Sequence, residues 1–326
     1  MKEIEYFGGI NVGIVGYGKL GQALENRIYS QENLNLVAIF SKREGLVSPY
    51  GSMFVKKENL EEYAGRIDYL FLCGGSFDEM TALSVSCAKL FNTIDCYDTH
   101  SNMWDYLSNL NDVNKENKTT SLIACGWDPG LFSMMRCLMF SLGQDAPFTF
   151  WGKGLSQGHS NALRQVKGVK DAISYTIPIN TALKSCYNSE NVPEKERHER
   201  VCYVVKEKTA SKKALSKIIP LIPNYFEGYK VKVHFVSQYR LNKMKQSMPH
   251  RGEVFKSLYP QDKKCFMKFS LDLDSNPHFT AECMLMGLKA LNNLSKAKKY
   301  GAFTLFDIPL KYFTSLSKKE LVTKFL

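Results

Sequence analysis

A chain of 326 residues is long enough for two domains, and a 44% hydrophobic, 23% charged composition can bury its own cores without covalent staples. Its nine cysteines are odd in number and never spaced Cys-x-x-Cys, which argues against a disulfide framework or a zinc ribbon and predicts reduced, buried thiols in a cytoplasmic protein with no metal site. Met1 to Glu5 form no apolar signal region and no stretch approaches the ~18 apolar residues of a membrane span; the net charge of +11 is scattered among acids, which suits anionic small ligands rather than nucleic acid or a membrane.

The first predicted element is a strand. Ile10 to Val15 is a nearly continuous apolar run, as expected of a strand covered on both faces. It leads into Gly16-Tyr17-Gly18-Lys19-Leu20-Gly21, after which Leu20, Ala23, Leu24, Arg27 and Ile28 follow helical spacing. Strand, Gly-x-Gly-x-x-Gly and helix together form a dinucleotide-binding fingerprint. Gly16 permits the tight turn, Gly18 lets the backbone approach a pyrophosphate, and Gly21 lets the helix pack on the strand. The helix start then offers free N–H groups to phosphates, so Gly16, Tyr17, Gly18, Lys19 and Leu20 are candidate cofactor contacts.

The next strand, Leu36 to Phe40, ends in Ser41-Lys42-Arg43 where an NAD-binding domain usually carries an acid. A hydroxyl and two cations suit a ribose 2′-phosphate, which predicts NADP. Further strands run over Tyr69 to Cys73, Thr93 to Tyr97 and Ser121 to Ala124. Ligands bind at the carboxyl ends of such strands, so Cys73, Gly74, Gly75 and Ser76 are expected beneath the cofactor. Asp98 and Asp128 end neighbouring strands, where two carboxylates suit an ammonium group; a loop or helix-capping role is the plainer reading of either.

After about residue 150 the pattern changes. Lys230 to Phe235 and Met267 to Leu273 alternate apolar and polar residues, which predicts antiparallel strands with one open face. Val201 to Val205 is another strand, and Ser211 is the expected N-cap of a helix reaching Ile219. Asn188 to Glu199 is polar, with a loop or exposed helix expected. Beyond Asn276-Pro277, Thr280 is the expected cap of a helix bearing Cys283, Leu285, Leu288 and Leu291. The predicted architecture is α/β: a Rossmann-type doubly wound parallel sheet over 1–126, with 277–326 packing back on it. A second, α+β domain with a mostly antiparallel open sheet covers 127–276.

Several segments are more particular than a generic nucleotide-binding fold. They are Cys125-Gly126-Trp127-Asp128-Pro129-Gly130, Phe150 to Ser160 (including Trp151-Gly152-Lys153-Gly154-Leu155-Ser156-Gln157-Gly158-His159), Gly168-Val169-Lys170, Tyr175-Thr176, Met248-Pro249-His250 and Asn276 to Ala281. In this order and spacing the chain resembles the meso-diaminopimelate dehydrogenase family over essentially its whole length. The resemblance implies a dimeric, NADP-dependent enzyme of lysine and diaminopimelate biosynthesis. Such an enzyme oxidatively deaminates the D-centre of meso-2,6-diaminopimelate to 2-amino-6-oxopimelate, which cyclises to tetrahydrodipicolinate, and ammonia. It further implies that Asp98 and Asp128 surround the reacting amine and that Trp127 and Trp151 wall the pocket. Gln157 and Gly158 would meet the near carboxylate. Thr176, Arg200 and His250 would clamp the far one, with Arg197 as the alternative to Arg200, and Asn276 would be a distal polar contact. Thr99, Cys125 and Arg251 depart from the family pattern, and Arg251 would add positive charge near the distal carboxylate. Other readings are a broader D-amino acid dehydrogenase on the same scaffold and a non-catalytic NADP-binding sensor.

Overall fold

In the described residues, 9–74, 77–99, 102–143, 145–245, 249–258 and 265–326, the computed structural model divides the chain into two units, 1–134 with 277–326 and 135–276. The first unit is built on strands β1 (Ile10–Val15), β2 (Leu34–Ser41), β3 (Phe54–Lys56), β4 (Tyr69–Leu72), β5 (Asn92–Asp95) and β6 (Thr120–Leu122), joined by a final strand, Gly301–Phe303. Their order in the seven-stranded sheet is Gly301–Phe303, β6, β5, β4, β1, β2, β3, and every pairing is parallel. The order reverses between β1 and β4, which opens a ligand crevice at their carboxyl ends.

Helices α1 (Lys19–Tyr29), α2 (Phe77–Ala88) and α3 (Met103–Asn117) connect these strands. On one face Val12, Ile14, Ile39 and Phe71 pack with Leu24 and Ile28 of α1 and with Met284, Leu288 and Leu291 of the returning helix Asn276–Lys296. On the other, Val15, Phe40, Leu70 and Leu72 pack with Leu83 and Cys87 of α2. Burial on both faces is why these strands read as unbroken apolar runs. The returning helix starts at Asn276 rather than at Thr280, which lies inside it and is buried. Pro277 suits a first turn, because its missing N–H has no intrahelical partner there.

The second unit follows α4 (Leu131–Ser141), in which the boundary falls, and contains β7 (Phe148–Trp151), β8 (Gly154–Ser156), β9 (Val169–Pro178), β10 (His198–Lys206), β11 (Lys230–Phe235), β12 (His250–Leu258) and β13 (Cys265–Leu273). They form a sheet ordered β11-β10-β9-β8 and another ordered β13-β12-β7, antiparallel except for the β10–β11 pair. Helix α5 (Gln157–Arg164) packs on β9 through Leu163 and Ala172. Helix α6 (Asn180–Tyr187) covers Phe150 and Phe255 through Ala182 and Cys186. In α7 (Lys212–Ile218) Ser211 caps as expected, its side chain accepting from the Ala214 N–H. Leu241 of α8 (Gln238–Met244) packs on Tyr175 and Val201. The polar stretch before β10 contains only a short 3-10 turn, Glu194–Glu196. Among the described residues no helix is long and apolar enough to cross a membrane.

Candidate active site

The three fingerprint glycines are glycine for two different reasons. Gly16 adopts φ +95°, and a Cβ there would stand 2.9 Å from the Gly74 backbone. A Cβ on Gly21 would stand 2.2 Å from the Gly16 carbonyl oxygen, so α1 packs on the turn only because that atom is missing. A Cβ on Gly18 would meet nothing within 4 Å. The protein's own packing does not need that glycine, and the bare backbone leaves a cradle open at the start of a helix that no side chain caps.

The end of β2 lies beside this turn. The Arg43 guanidinium donates to the Tyr17 carbonyl, and the Arg43 N–H donates to the Ser41 hydroxyl at 3.1 Å. Lys42 pairs with Glu79 of α2 at 3.0 Å, both side chains being more than half exposed. An open cradle, an uncapped helix start and a cluster of Ser41 and Arg43 fit a dinucleotide with a 2′-phosphate. Cys73 and Gly74 follow β4 beneath the turn, with the Cys73 N–H donating to the Val15 carbonyl at 2.8 Å. Gly75 and Ser76 lie outside the described residues.

Asp98 and Asp128 follow β5 and β6; the first is exposed and the second half-buried. Their loops are joined by Asp95, which is fully buried at the end of β5. Its carboxylate accepts from the Tyr97 N–H at 2.9 Å, the Ala124 N–H at 3.1 Å and the Tyr106 hydroxyl at 2.5 Å. Burial raises the Asp95 pKa, and those three donors oppose the rise. The Gly126–Gly130 segment closes on itself, the Gly126 N–H donating to the Pro129 carbonyl at 3.2 Å. Trp127 is 7% exposed and lies edge-on to Phe132 at 5.2 Å, so little of its ring is left open.

In the second unit, strand register assembles a row. Arg200 of β10 stands opposite Thr176 of β9, and Thr176 stands opposite Gly154 of β8. The His250 ring packs on Gly154, where a Cβ would come within 2.9 Å of its Cδ2. Arg200 is 8% exposed. One of its N–H groups donates to the Thr176 hydroxyl at 2.6 Å, its guanidinium carbon lies 4.1 Å from the Tyr229 ring centroid, and its Nε has no partner. Among the described residues no carboxylate forms an ion pair with it. Arg200 thus follows the charge run Lys195 to Glu199 in sequence yet is a buried strand position, while its neighbour Arg197 donates to the Val192 carbonyl and lies over Phe148. Arg251 pairs with Asp272 at 2.7 Å on the face of β12 opposite His250, so it adds no charge beside that ring, contrary to expectation.

Two histidines flank the row. His198 is buried, and its Nε2 accepts from the Trp151 N–H at 2.9 Å with the two rings 5.3 Å apart. His159 shares a hydrogen bond between Nδ1 and the Ser156 hydroxyl. Burial, then the charge of Arg200, pulls each down to about 3, so both are neutral at pH 7. Gln157 and Gly158 open α5 in exposed positions, and Asn276 is half-buried.

Residues 126–275 match the family described as the diaminopimelic acid dehydrogenase C-terminal domain. Meso-diaminopimelate D-dehydrogenase of Ureibacillus thermosphaericus is 38% identical over 321 residues, 96% of this chain and 98% of the relative. The chain belongs to the meso-diaminopimelate D-dehydrogenase family. Among solved structures, a substituted diaminopimelate dehydrogenase of Clostridium tetani with diaminopimelate superposes with a TM-score of 0.90 at 37% identity, over 97% of this chain and all of that one. An engineered D-amino acid dehydrogenase bound to NADP+ gives 0.89 at 30% identity, over 98% of this chain and all of that one.

Three residues of this family member escaped the sequence reading. Asp95 had a signal, a charge inside an apolar strand, which predicts a satisfied and structurally committed carboxylate. His198 was hidden in the charge run Lys195 to Arg200. Tyr229 had none, because only the pairing of β11 with β10 brings it to Arg200.

Proposed function

We infer that this protein catalyses the reversible, NADP-dependent oxidative deamination of the D-centre of meso-2,6-diaminopimelate. The products are L-2-amino-6-oxopimelate, which closes to tetrahydrodipicolinate, and ammonia. NADP, when bound, accepts the hydride of the α-carbon. Gly16 to Leu20, Ser41, Lys42, Arg43 and the segment from Cys73 to Ser76 hold it, and the chain's other groups do the rest. Asp98 and Asp128 bind the reacting ammonium and receive its proton. His159, held neutral by burial and Arg200, retains a proton poorly and is the weaker acceptor. Loss of hydride and proton leaves an imine, and water replaces its nitrogen to release ammonia.

The observation that carries this reading is the buried Arg200, without an acidic partner among the described residues and aligned with Thr176 and His250. An uncompensated buried charge costs several kcal/mol, which a ligand carboxylate offsets. Clamping the far carboxylate positions the near α-carbon and presents only one of the two amino centres. Trp127 and Trp151 flank the carbon chain, Gln157 and Gly158 meet the near carboxylate, and Asn276 contacts the distal end. In the Clostridium tetani relative a Gln, a Thr, an Arg, a Pro, a His and an Asn are substituted. The same residue types occur here in the same order as Gln157, Thr176, Arg200, Pro249, His250 and Asn276, which supports their assignment to one site. The enzyme acts as a homodimer in the cytoplasm.

The test is NADP reduction, followed by absorbance, with meso-, LL- and DD-diaminopimelate supplied separately. Reduction with the meso isomer alone is expected. Strong activity on the DD isomer would replace this reading with a broader D-amino acid dehydrogenase. No reduction by protein that binds NADP would replace it with a non-catalytic sensor.

A further inference from the structure

Tyr229 is a half-buried aromatic that none of these roles uses. It follows Gly228, whose φ of +83° turns the chain, and its N–H donates to the Phe226 carbonyl at 3.0 Å. The turn delivers Tyr229 to the start of β11, which runs parallel to β10 with Lys230 opposite Glu199 and Val231 opposite Arg200. The Tyr229 ring thereby lies against the face of the Arg200 guanidinium, 4.1 Å from ring centroid to guanidinium carbon.

A desolvated guanidinium is ordinarily compensated by a carboxylate. Arg200 instead has the Thr176 hydroxyl on one nitrogen, no partner on Nε, and Tyr229, whose ring lies over its face and whose side chain also hydrogen-bonds to it. An aromatic ring attracts a cation through its quadrupole without neutralising it. It covers the face of the planar group and supplies no carboxylate to its N–H groups, where a ligand carboxylate binds. Burial lowers the pKa of Arg200, and Tyr229 is the largest influence opposing that. With His159 and His198 neutral, neither flanking histidine adds charge beside Arg200.

We propose that Tyr229 is a positioning residue that sets the specificity of this site for ligands bearing a carboxylate remote from the reacting amine. By holding Arg200 without pairing its charge, it leaves that charge for the ligand and makes an uncharged ligand end a poor substitute. This rests on the role of Arg200 inferred above.

The experiment compares full-length wild type, Tyr229→Leu, Tyr229→Phe and Arg200→Met. It measures kcat and KM for meso-diaminopimelate, competitive inhibition by pimelate and by D-norleucine, and NADP affinity by fluorescence. Tyr229→Leu should raise KM and the pimelate inhibition constant about tenfold, with kcat within about twofold. Inhibition by D-norleucine and NADP affinity should stay at wild-type values. Tyr229→Phe, which keeps the ring face, should stay within about threefold of wild type. Should Tyr229→Leu fail to fold, Tyr229→Gln carries the same expectation. An unchanged KM in Tyr229→Leu, while Arg200→Met loses diacid binding, overturns the role of Tyr229 alone. Equal weakening of pimelate and D-norleucine overturns it too, since the ring would then only support the fold. An unchanged KM in Arg200→Met would sink the reading of Arg200 itself, and an inactive wild type that of the function.

Discussion

The two units carry their candidate residues in different ways. In the first, the groups are contiguous in sequence: Gly16 to Gly21, Ser41 to Arg43, and Gly126 to Asp128 each follow the end of one strand. A parallel sheet places every such loop on the same edge, so reading the loops amounts to reading the site. In the second, Arg200, Thr176, Gly154 and His250 come from four strands and meet only through strand register and the packing of the His250 ring on Gly154. A one-residue slip of β10 would send Arg200 to the opposite face of its sheet. Sites of the first kind are exposed to local substitutions, and sites of the second to whatever fixes strand pairing.

The sharpest way to break this comparison is Asp128→Asn. If the loop residue acts on the reacting amine, kcat should fall by about 100-fold or more while NADP affinity changes less than about twofold. Near-normal turnover would remove Asp128 from the chemistry. A smaller effect is expected of Gly21→Ala, whose Cβ would overlap the Gly16 carbonyl oxygen at 2.2 Å. Overpacking of this size should weaken NADP binding roughly 10- to 100-fold by displacing α1 from the turn. Titration of the variant by fluorescence checks it, and unchanged affinity would show that the turn tolerates the shift.

The smallest effect sharpens the contrast from the side of the second unit. His198 joins β10 to β7 through its Nε2, and burial, followed by the charges of Arg200 and Arg197, pulls it to about 3. An unfolded histidine titrates near ~6.5. Between those values the unfolded chain binds a proton that the folded chain does not. Stability is therefore complete above the upper value and falls with decreasing pH, by about 1.4 kcal/mol per unit. His198→Asn, which keeps an acceptor for the Trp151 N–H but does not titrate, should lower the pH slope of the unfolding free energy, measured by urea titration, by that amount. An identical slope in both proteins would show that His198 takes up its proton without opening the structure.

How much was legible follows the same division. The Rossmann-type sheet, the use of NADP and the helix cap at Ser211 came from local patterns, because periodicity, glycine spacing and capping act over a few residues. The helix start moved from Thr280 to Asn276, because a capping residue and a first-turn proline compete and only the surrounding packing chooses between them. Arg251 looked like a neighbour of the distal carboxylate because it follows His250, yet successive strand residues face opposite ways.

By itself the sequence determined the alternation of strands and helices in the first unit, the glycine turn, the basic end of β2 and, through its particular segments, the family. All of these are written in residues near one another in the chain. Only the tertiary structure decided that Arg200 in a charge run is a buried cation, that Asp95 joins the loops of Asp98 and Asp128, and that Tyr229 lies against Arg200. The physical reason is that burial and partnership depend on which strands pair and in what register, and that is fixed by packing across the whole unit rather than by neighbours in sequence.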